Sequence, residues 1–126
     1  MRLNTSQQAV AQSHDPRILV LAGAGTGKTA TSVHWVSNLI RGGAKRSQFL
    51  MITFTRKAAS EMSKRIEKLI QDVPKASAQD AITIGTYHAV SGILLRKDAV
   101  GFGLPHKTFT TIDESEANSI WKSALK

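Results

Sequence analysis

The 126-residue sequence contains no cysteine, and no apolar run in it approaches the length of a membrane span. The absence of cysteine excludes disulfides, zinc fingers and iron–sulfur sites. Residues 1–5 lack the apolar centre of a signal peptide. We therefore expect a cytoplasmic protein that does not contact a membrane.

Acidic residues are scarce in the first half of the chain. Residues 1–60 hold eight basic side chains and one acid, Asp15, whereas residues 61–126 hold nine basic and eight acidic side chains. The net charge of +8 therefore comes almost entirely from the first half. Charge of one sign attracts polyanions such as nucleic acids or nucleotide phosphates. A solvated basic surface would give the same count, so charge alone leaves both interpretations open.

The hydrophobic pattern predicts alternating strands and helices. Three short apolar runs, at residues 17–22, 49–54 and 81–84, are typical of buried strands. Helical spacing follows each run, at residues 28–41, 56–70 and 87–96, and two further helices are expected near residues 3–12 and from residue 113. Three strand–helix repeats predict an α/β fold with a parallel sheet.

A glycine-rich loop joins the first predicted strand to its helix. It consists of Ala22, Gly23, Ala24, Gly25, Thr26, Gly27, Lys28 and Thr29, which is the P-loop pattern with alanine in the first position. Its glycines permit positive φ and close approach to phosphate, and the helix behind it points its positive end at the same anion. Lys28 can neutralise the β- and γ-phosphates, and the Thr29 hydroxyl can ligate Mg²⁺.

The loop therefore predicts a nucleoside triphosphate site. The alternative interpretation is a glycine-rich turn with an exposed lysine. The pattern does not choose between ATP and GTP, nor between hydrolysis, group transfer and binding alone.

Further segments resemble motifs of UvrD/Rep/PcrA-type superfamily-one DNA helicases. Residues 3–7 (LNTSQ) are similar to the segment upstream of the P-loop, residues 52–62 (ITFTRKAASEM) to motif Ia, and residues 85–88 (GTYH) to motif Ib. Residues 109–113 are similar to the entry of the accessory helical subdomain. The resemblance covers essentially the whole chain, with the motifs in the family's order and spacing.

This resemblance implies an incomplete RecA-like P-loop NTPase domain, a three-layer α/β/α fold with a parallel sheet that ends in a helical extension. Residues 1–107 would form the N-terminal part of the ATP-binding domain and residues 108–126 the start of the accessory subdomain. The implied protein is an ATP-dependent DNA helicase of the kind used in DNA repair, with ATP and Mg²⁺ as cofactors. Its partners would be single-stranded or partly duplex DNA and the remaining helicase domains of the parent chain.

The resemblance also implies roles for single residues. Gln7 would hydrogen-bond the adenine edge with its amide, although the adjacent Gln8 leaves the register open by one residue. Phe54 would stack a DNA base, unless it simply belongs to the core. The full set of implied DNA contacts is Thr53, Phe54, Thr55, Arg56, Lys57, Thr86, Tyr87 and His88.

Parts of an ATPase are missing from the sequence. No apolar strand is followed by the Asp-Glu pair that would hold Mg²⁺ and activate water, and no second RecA-like domain supplies arginine fingers. Ala30 stands where many relatives have arginine, and Arg56 where many have asparagine. We expect this chain to bind nucleotide weakly and to hydrolyse it poorly or not at all. The rival interpretations are a P-loop kinase or phosphotransferase and a non-catalytic nucleic-acid-binding module.

Overall fold

A computed structural model describes residues 3–104, 108–112 and 114–125. The elements in these ranges are α1 (Thr5–Ala11), α2 (Lys28–Arg41), a short 3₁₀ helix (Arg46–Gln48), β1 (Leu50–Thr53), α3 (Arg56–Leu69), β2 (Thr83–Thr86), α4 (Tyr87–Lys97) and α5 (Glu114–Ala124). The five α-helices lie where the sequence pattern predicts them, with ends that differ by one or two residues. None of these helices is long and apolar enough to cross a membrane.

Strands β1 and β2 form a parallel pair, with Leu50 opposite Thr83 and Thr53 opposite Thr86. The predicted runs at 49–54 and 81–84 are thus confirmed as strands, the second beginning two residues later than expected. Helix α3 connects them and packs against both. This small parallel sheet with its crossover helix is an α/β arrangement.

The prediction of a strand at residues 17–22 is wrong. The segment forms neither helix nor strand, and Leu19 and Leu21 are 83% and 86% exposed. Ile18 and Val20 are less exposed and line a cavity beside Trp35. The degree of exposure alternates along the segment, but all of its side chains are exposed and it pairs with neither β1 nor β2.

The core lies between α2, α3 and one face of the sheet. Its buried residues follow helical spacing on the two helices: Val33, Val36 and Ile40 on α2, and Met62, Ile66 and Ile70 on or just after α3. Met51 and Ile84, which are opposite each other in the strand pair, pack against this cluster. On the other face Leu50 and Ile52 remain 49% and 39% exposed, so the second helical layer of the expected α/β/α fold stays a prediction.

Two side chains of α2 fix the position of α1. The indole N–H of Trp35 donates to the Ser13 carbonyl at 2.9 Å. The Asn38 amide donates to the Ala11 carbonyl, also at 2.9 Å. Both bonds reach the C-terminal end of α1, so this short helix is held against α2 beside the glycine loop.

Buried charges hold the loops at the far end of the sheet. The Arg46 guanidinium donates to the Val73 carbonyl at 2.6 Å. The Asp80 carboxylate accepts from the backbone N–H groups of Ser47 and Ala76 at 3.0 and 3.2 Å. These bonds, with that from Ser47 first, lower the pKa of Asp80 below its ordinary value of 3.8.

The chain divides into two compact units, Met1–Val90 and Ser91–Lys126. The first contains the sheet, the glycine loop and the core. In the second, α5 has no buried residue among those described, and Ile120 and Trp121 are 57% and 66% exposed. The expected domain boundary after residue 107 adjoins residues 105–107, outside the described part of the chain, and it stays a proposal.

Candidate functional site

The glycine loop enters α2 through left-handed backbone. Gly25 and Gly27 have φ of 75° and 90°, which side chains rarely allow. The first hydrogen bond of helix α2 runs from the Thr31 N–H to the Gly27 carbonyl. The N–H groups of Lys28, Thr29 and Ala30 precede this bond and have no carbonyl acceptor within the helix. An N-terminus of this kind offers backbone donors and a positive dipole end to an anion.

The Lys28 side chain folds back onto this loop. Its Nζ donates to the Ala22 carbonyl at 2.9 Å and to the Gly23 carbonyl at 2.6 Å. The Thr26 hydroxyl donates to the same Gly23 carbonyl at 2.8 Å. Thr29, the predicted Mg²⁺ ligand, is exposed in the first turn of α2. The Lys28 and Thr26 side chains therefore both bond to the backbone of their own loop.

Gln7 connects α1 to the loop. The Asn4 N–H donates to Gln7 Oε1, and the Gln7 N–H donates to Asn4 Oδ1, both at 2.9 Å, which makes a reciprocal cap at the start of α1. Gln7 Nε2 donates to the Thr26 carbonyl at 2.8 Å. The Gln8 side chain instead donates to the Leu3 carbonyl, just before its own helix, at 3.0 Å. Of the two glutamines, Gln7 is therefore the one that contacts the loop.

A cavity of about 330 Å³ lies between α1, the 17–22 segment and the loop. Cavities of this size hold small ligands and cofactors. Both Gln7 and Lys28 line it, together with apolar side chains that the sequence did not single out, Val10, Leu19 and Leu21. The pattern Asn4-x-x-Gln7 in the sequence indicates the cap. The cavity could not be predicted in this way, because its walls come from segments that are distant in the chain.

The predicted DNA contacts meet at the carboxyl ends of β1 and β2. Because Thr53 lies opposite Thr86, the next residues, Phe54 and Tyr87, project from adjacent strand ends. Their ring centroids are 5.8 Å apart with a 52° tilt. Phe54 is 89% exposed and Tyr87 56% exposed. The alternative placing of Phe54 in the core is therefore wrong.

The threonine hydroxyls at this edge bond to the backbone nearby. Thr55 Oγ1 accepts from the Ala58 N–H at 3.1 Å and caps α3. Thr86 Oγ1 accepts from the Ala89 N–H at 3.4 Å, one turn into α4. Thr53 is 9% exposed, and its hydroxyl donates to the Thr55 carbonyl at 3.0 Å. Thr53 is consequently the least accessible of the predicted contacts.

Only some of the described basic side chains in the first half of the chain are exposed and without a bond to a protein group. Arg46 is buried, Lys28 lies on the loop, and Arg41 bonds Asp72 at 2.6 Å. Arg56 and Lys57, in contrast, are exposed in the first turn of α3, next to Phe54. His88 is exposed in the first turn of α4. The helices α3 and α4 both begin at this edge, so their positive ends add to the charge there.

No three histidine, aspartate or glutamate side chains come together as a metal site within residues 3–104, 108–112 and 114–125. The exposed Thr29 hydroxyl is the predicted protein ligand for a Mg²⁺ ion at the loop. Asp113, which opens the last predicted helix, lies outside the described residues. The donors that are present fit a Mg²⁺-nucleotide, in which the phosphates bring their own charge to the ion.

Known proteins match the chain along nearly its whole length. A family model described as the UvrD/REP helicase N-terminal domain matches residues 3–126. The chain is 34% identical over 125 residues to the ATP-dependent DNA helicase PcrA of Staphylococcus aureus (strain NCTC 8325 / PS 47) and 37% identical over 125 residues to that of Leuconostoc citreum. Each match covers 98% of this chain but 16% of the relative, so the chain spans about one sixth of the length of these curated relatives. The resemblance read from the motifs is confirmed, and the chain belongs to the UvrD/REP helicase N-terminal domain family.

Proposed function

We propose that this chain is the ATP-binding and DNA-contacting part of an ATP-dependent DNA helicase. The observation that carries the proposal is the 330 Å³ cavity in which Gln7 and the P-loop lysine Lys28 face one space. A base and a triphosphate need these two kinds of partner, an amide and a cation beside backbone donors. The relatives' printed name, ATP-dependent DNA helicase, supports ATP as the nucleotide.

At the loop, residues 22–29 would hold the nucleotide. The ammonium of Lys28 would neutralise the β- and γ-phosphates, and the Thr29 hydroxyl would ligate Mg²⁺. Bound Mg²⁺ would supply charge stabilisation for phosphoryl transfer. We further propose that the chain alone hydrolyses ATP poorly or not at all, because the sequence offers no acidic pair after a later strand and no arginine finger.

At the carboxyl edge of the sheet, single-stranded DNA would lie across the starts of α3 and α4. Phe54 and Tyr87 would contact bases, and Arg56, Lys57 and His88 would contact phosphates. Thr55 and Thr86 cap their helices and would reach the backbone of DNA only as secondary contacts. Contacts of these kinds do not depend on the base sequence of the DNA, which suits a protein that moves along DNA.

The rest of the helicase would cover apolar surface that this chain exposes. Leu19 and Leu21 are more than four-fifths exposed, and Ile18 and Val20 beside them are 36% and 40% exposed. In the RecA-like fold that the family implies, we propose that further strands and domains of the parent protein pack on this side. Translocation and unwinding belong to that complete protein.

Titration of the purified chain with a fluorescent ATP analogue and Mg²⁺, beside Lys28→Ala, tests the nucleotide site. A hydrogen bond to a charged group contributes about 1.5–3 kcal/mol, so we expect roughly 10- to 150-fold weaker binding in the variant. Lys45→Ala, which removes an exposed lysine outside the cavity, is the matched control and should bind like wild type. Equal affinity of wild type and Lys28→Ala would refute the site.

Two further measurements separate the rival functions. Good nucleotide binding without any binding of single-stranded DNA would favour a P-loop kinase or phosphotransferase. DNA binding without measurable affinity for Mg²⁺-ATP would favour a non-catalytic nucleic-acid-binding module. DNA-stimulated ATP turnover by this chain alone would contradict the proposed inactivity of the isolated chain.

A further inference from the structure

Gln7 makes a contact that its expected role in base recognition does not explain. Its Nε2 donates to the Thr26 carbonyl at 2.8 Å, across nineteen residues of chain. Its Oε1 is meanwhile held by the Asn4 N–H. Both ends of the amide are therefore fixed by protein groups, one on α1 and one on the loop.

The position of the glutamine amide depends on glycine at residue 27. A Cβ at Gly27 would lie 2.8 Å from Gln7 Nε2, closer than such atoms approach in proteins. Gly27 also has φ of 90°. The amide thus occupies the space where a side chain would stand, directly against the peptide that joins Thr26 to Gly27.

Holding one side of a peptide orients the other side. A trans peptide is planar, and its C=O and N–H groups point in opposite directions. The bond from Gln7 to the Thr26 carbonyl therefore turns the Gly27 N–H away from α1. This N–H belongs to the loop whose backbone donors are the proposed phosphate ligands.

We propose that Gln7 is a positioning residue for the phosphates: by holding the Thr26 carbonyl, it orients the Gly27 N–H for a triphosphate, whatever base the ligand carries. The proposal rests on the proposed nucleotide site and deepens it. Its prediction differs from that of base recognition. If Gln7 positions the loop, it raises the affinity equally for a ligand that has no base.

The test compares Mg²⁺-ATP with Mg²⁺ and inorganic tripolyphosphate, by calorimetry on the full chain. Gln7→Met keeps the length of the side chain and removes its hydrogen bonds. One lost hydrogen bond of ordinary strength corresponds to about 2- to 12-fold in affinity, and we expect this loss for both ligands. A loss for ATP with none for tripolyphosphate would overturn the proposal and leave Gln7 as a base contact only.

Two control variants separate positioning from helix stability. Asn4→Ala breaks the other half of the cap while keeping the bond from Gln7 to Thr26. Gln8→Ala removes an adjacent glutamine whose side chain donates to the Leu3 carbonyl and not to the loop. Both should retain tripolyphosphate binding. If Asn4→Ala loses it as fully as Gln7→Met does, Gln7 acts merely by stabilising α1 and the proposal fails.

A measurement without ligand keeps this inference separate from the proposed function. The ¹H–¹⁵N heteronuclear NOE of the Gly27 amide reports the order of this peptide. We expect it to fall in Gln7→Met and to stay at the wild-type value in Asn4→Ala. If wild type binds neither ligand, the proposed function fails, and an unchanged NOE in Gln7→Met would in addition show that Gln7 does not hold the loop.

Discussion

Replacing Phe54 by alanine tests the proposed DNA edge most directly. Phe54 is 89% exposed, so its removal should change the free energy of unfolding by no more than about 0.5 kcal/mol, as for other surface substitutions. Stacking of a base on an aromatic side chain contributes about 1–3 kcal/mol. We therefore expect Phe54→Ala to weaken single-stranded DNA binding roughly 5- to 150-fold without destabilising the protein.

The geometry of the ring pair limits how DNA can bind. A base between two rings needs a separation of roughly 7 Å, twice the contact distance of carbon atoms, and parallel ring planes. The Phe54 and Tyr87 centroids are 5.8 Å apart at 52°. A DNA base would therefore stack on the outer face of the pair, and the estimate above is for one stacked base.

Fluorescence anisotropy of a labelled oligonucleotide across a salt series measures both parts of the interaction. Phe54→Ala should lower affinity by the same factor at every salt concentration, because phosphate contacts set the salt slope and stacking does not. Phe102→Ala, which removes a 61% exposed aromatic of the second unit, should bind like wild type. Unchanged affinity in Phe54→Ala, or a loss in Phe102→Ala of the same size, would refute the stacking role.

Three further substitutions test the edge and the fold. Lys57→Ala should reduce the magnitude of the salt slope of DNA binding by about one, since it removes one phosphate contact; an unchanged slope would remove Lys57 from the interface. Ile66→Ala, at a fully buried core position, should cost about 2–5 kcal/mol in urea unfolding, and a cost below that range would mean that α2 and α3 do not pack tightly. Asp80→Asn should lower the Tm at pH 7, because the lowered pKa of Asp80 contributes stability above its ordinary value of 3.8. That contribution is lost as pH falls through the folded pKa, so the Tm gap should close in acid, and a gap that persists at low pH would contradict this assignment.

The helices could be predicted from the sequence because their signals are local. Thr55 caps α3, and Asn4 with Gln7 caps α1, and each signal lies within the element that it starts. The glycines of the loop are a local signal too, because glycine readily adopts the positive φ that this loop needs. Helix positions and the P-loop therefore followed from residues a few positions apart.

The prediction of a strand at residues 17–22 failed because a strand, unlike a helix, is not specified locally. A strand is defined by hydrogen bonds to a neighbour, and propensity says nothing of whether that neighbour is present. Phe54 was ambiguous for a similar reason, since an aromatic that ends an apolar run can point to core or solvent. The structure places Phe54 in solvent because the strand pairing of β1 with β2 ends at Thr53, one residue before it.

Contacts between distant segments were also beyond the sequence pattern. The resemblance named Gln7 as a base contact, but the bond from Gln7 to the Thr26 carbonyl depends on how α1 lies against α2. That placement comes from Trp35 and Asn38. Neither residue belongs to one of the family motifs, yet both hold α1 in place and so determine the position of the Gln7 amide.

The ammonium of Lys28 already has two carbonyl ligands within the loop, those of Ala22 and Gly23. In the proposed site, nucleotide binding would therefore be an exchange of partners, and the free energy gained would be the difference between phosphate and peptide as ligands for one cation. An ionised phosphate would win this exchange, because its formal negative charge attracts the ammonium more strongly than the dipole of a neutral carbonyl does. Di- and triphosphates offer that charge, whereas an uncharged nucleoside offers only contacts with the cavity walls. The loop would thus select ligands by their charge before any contact with the base is made.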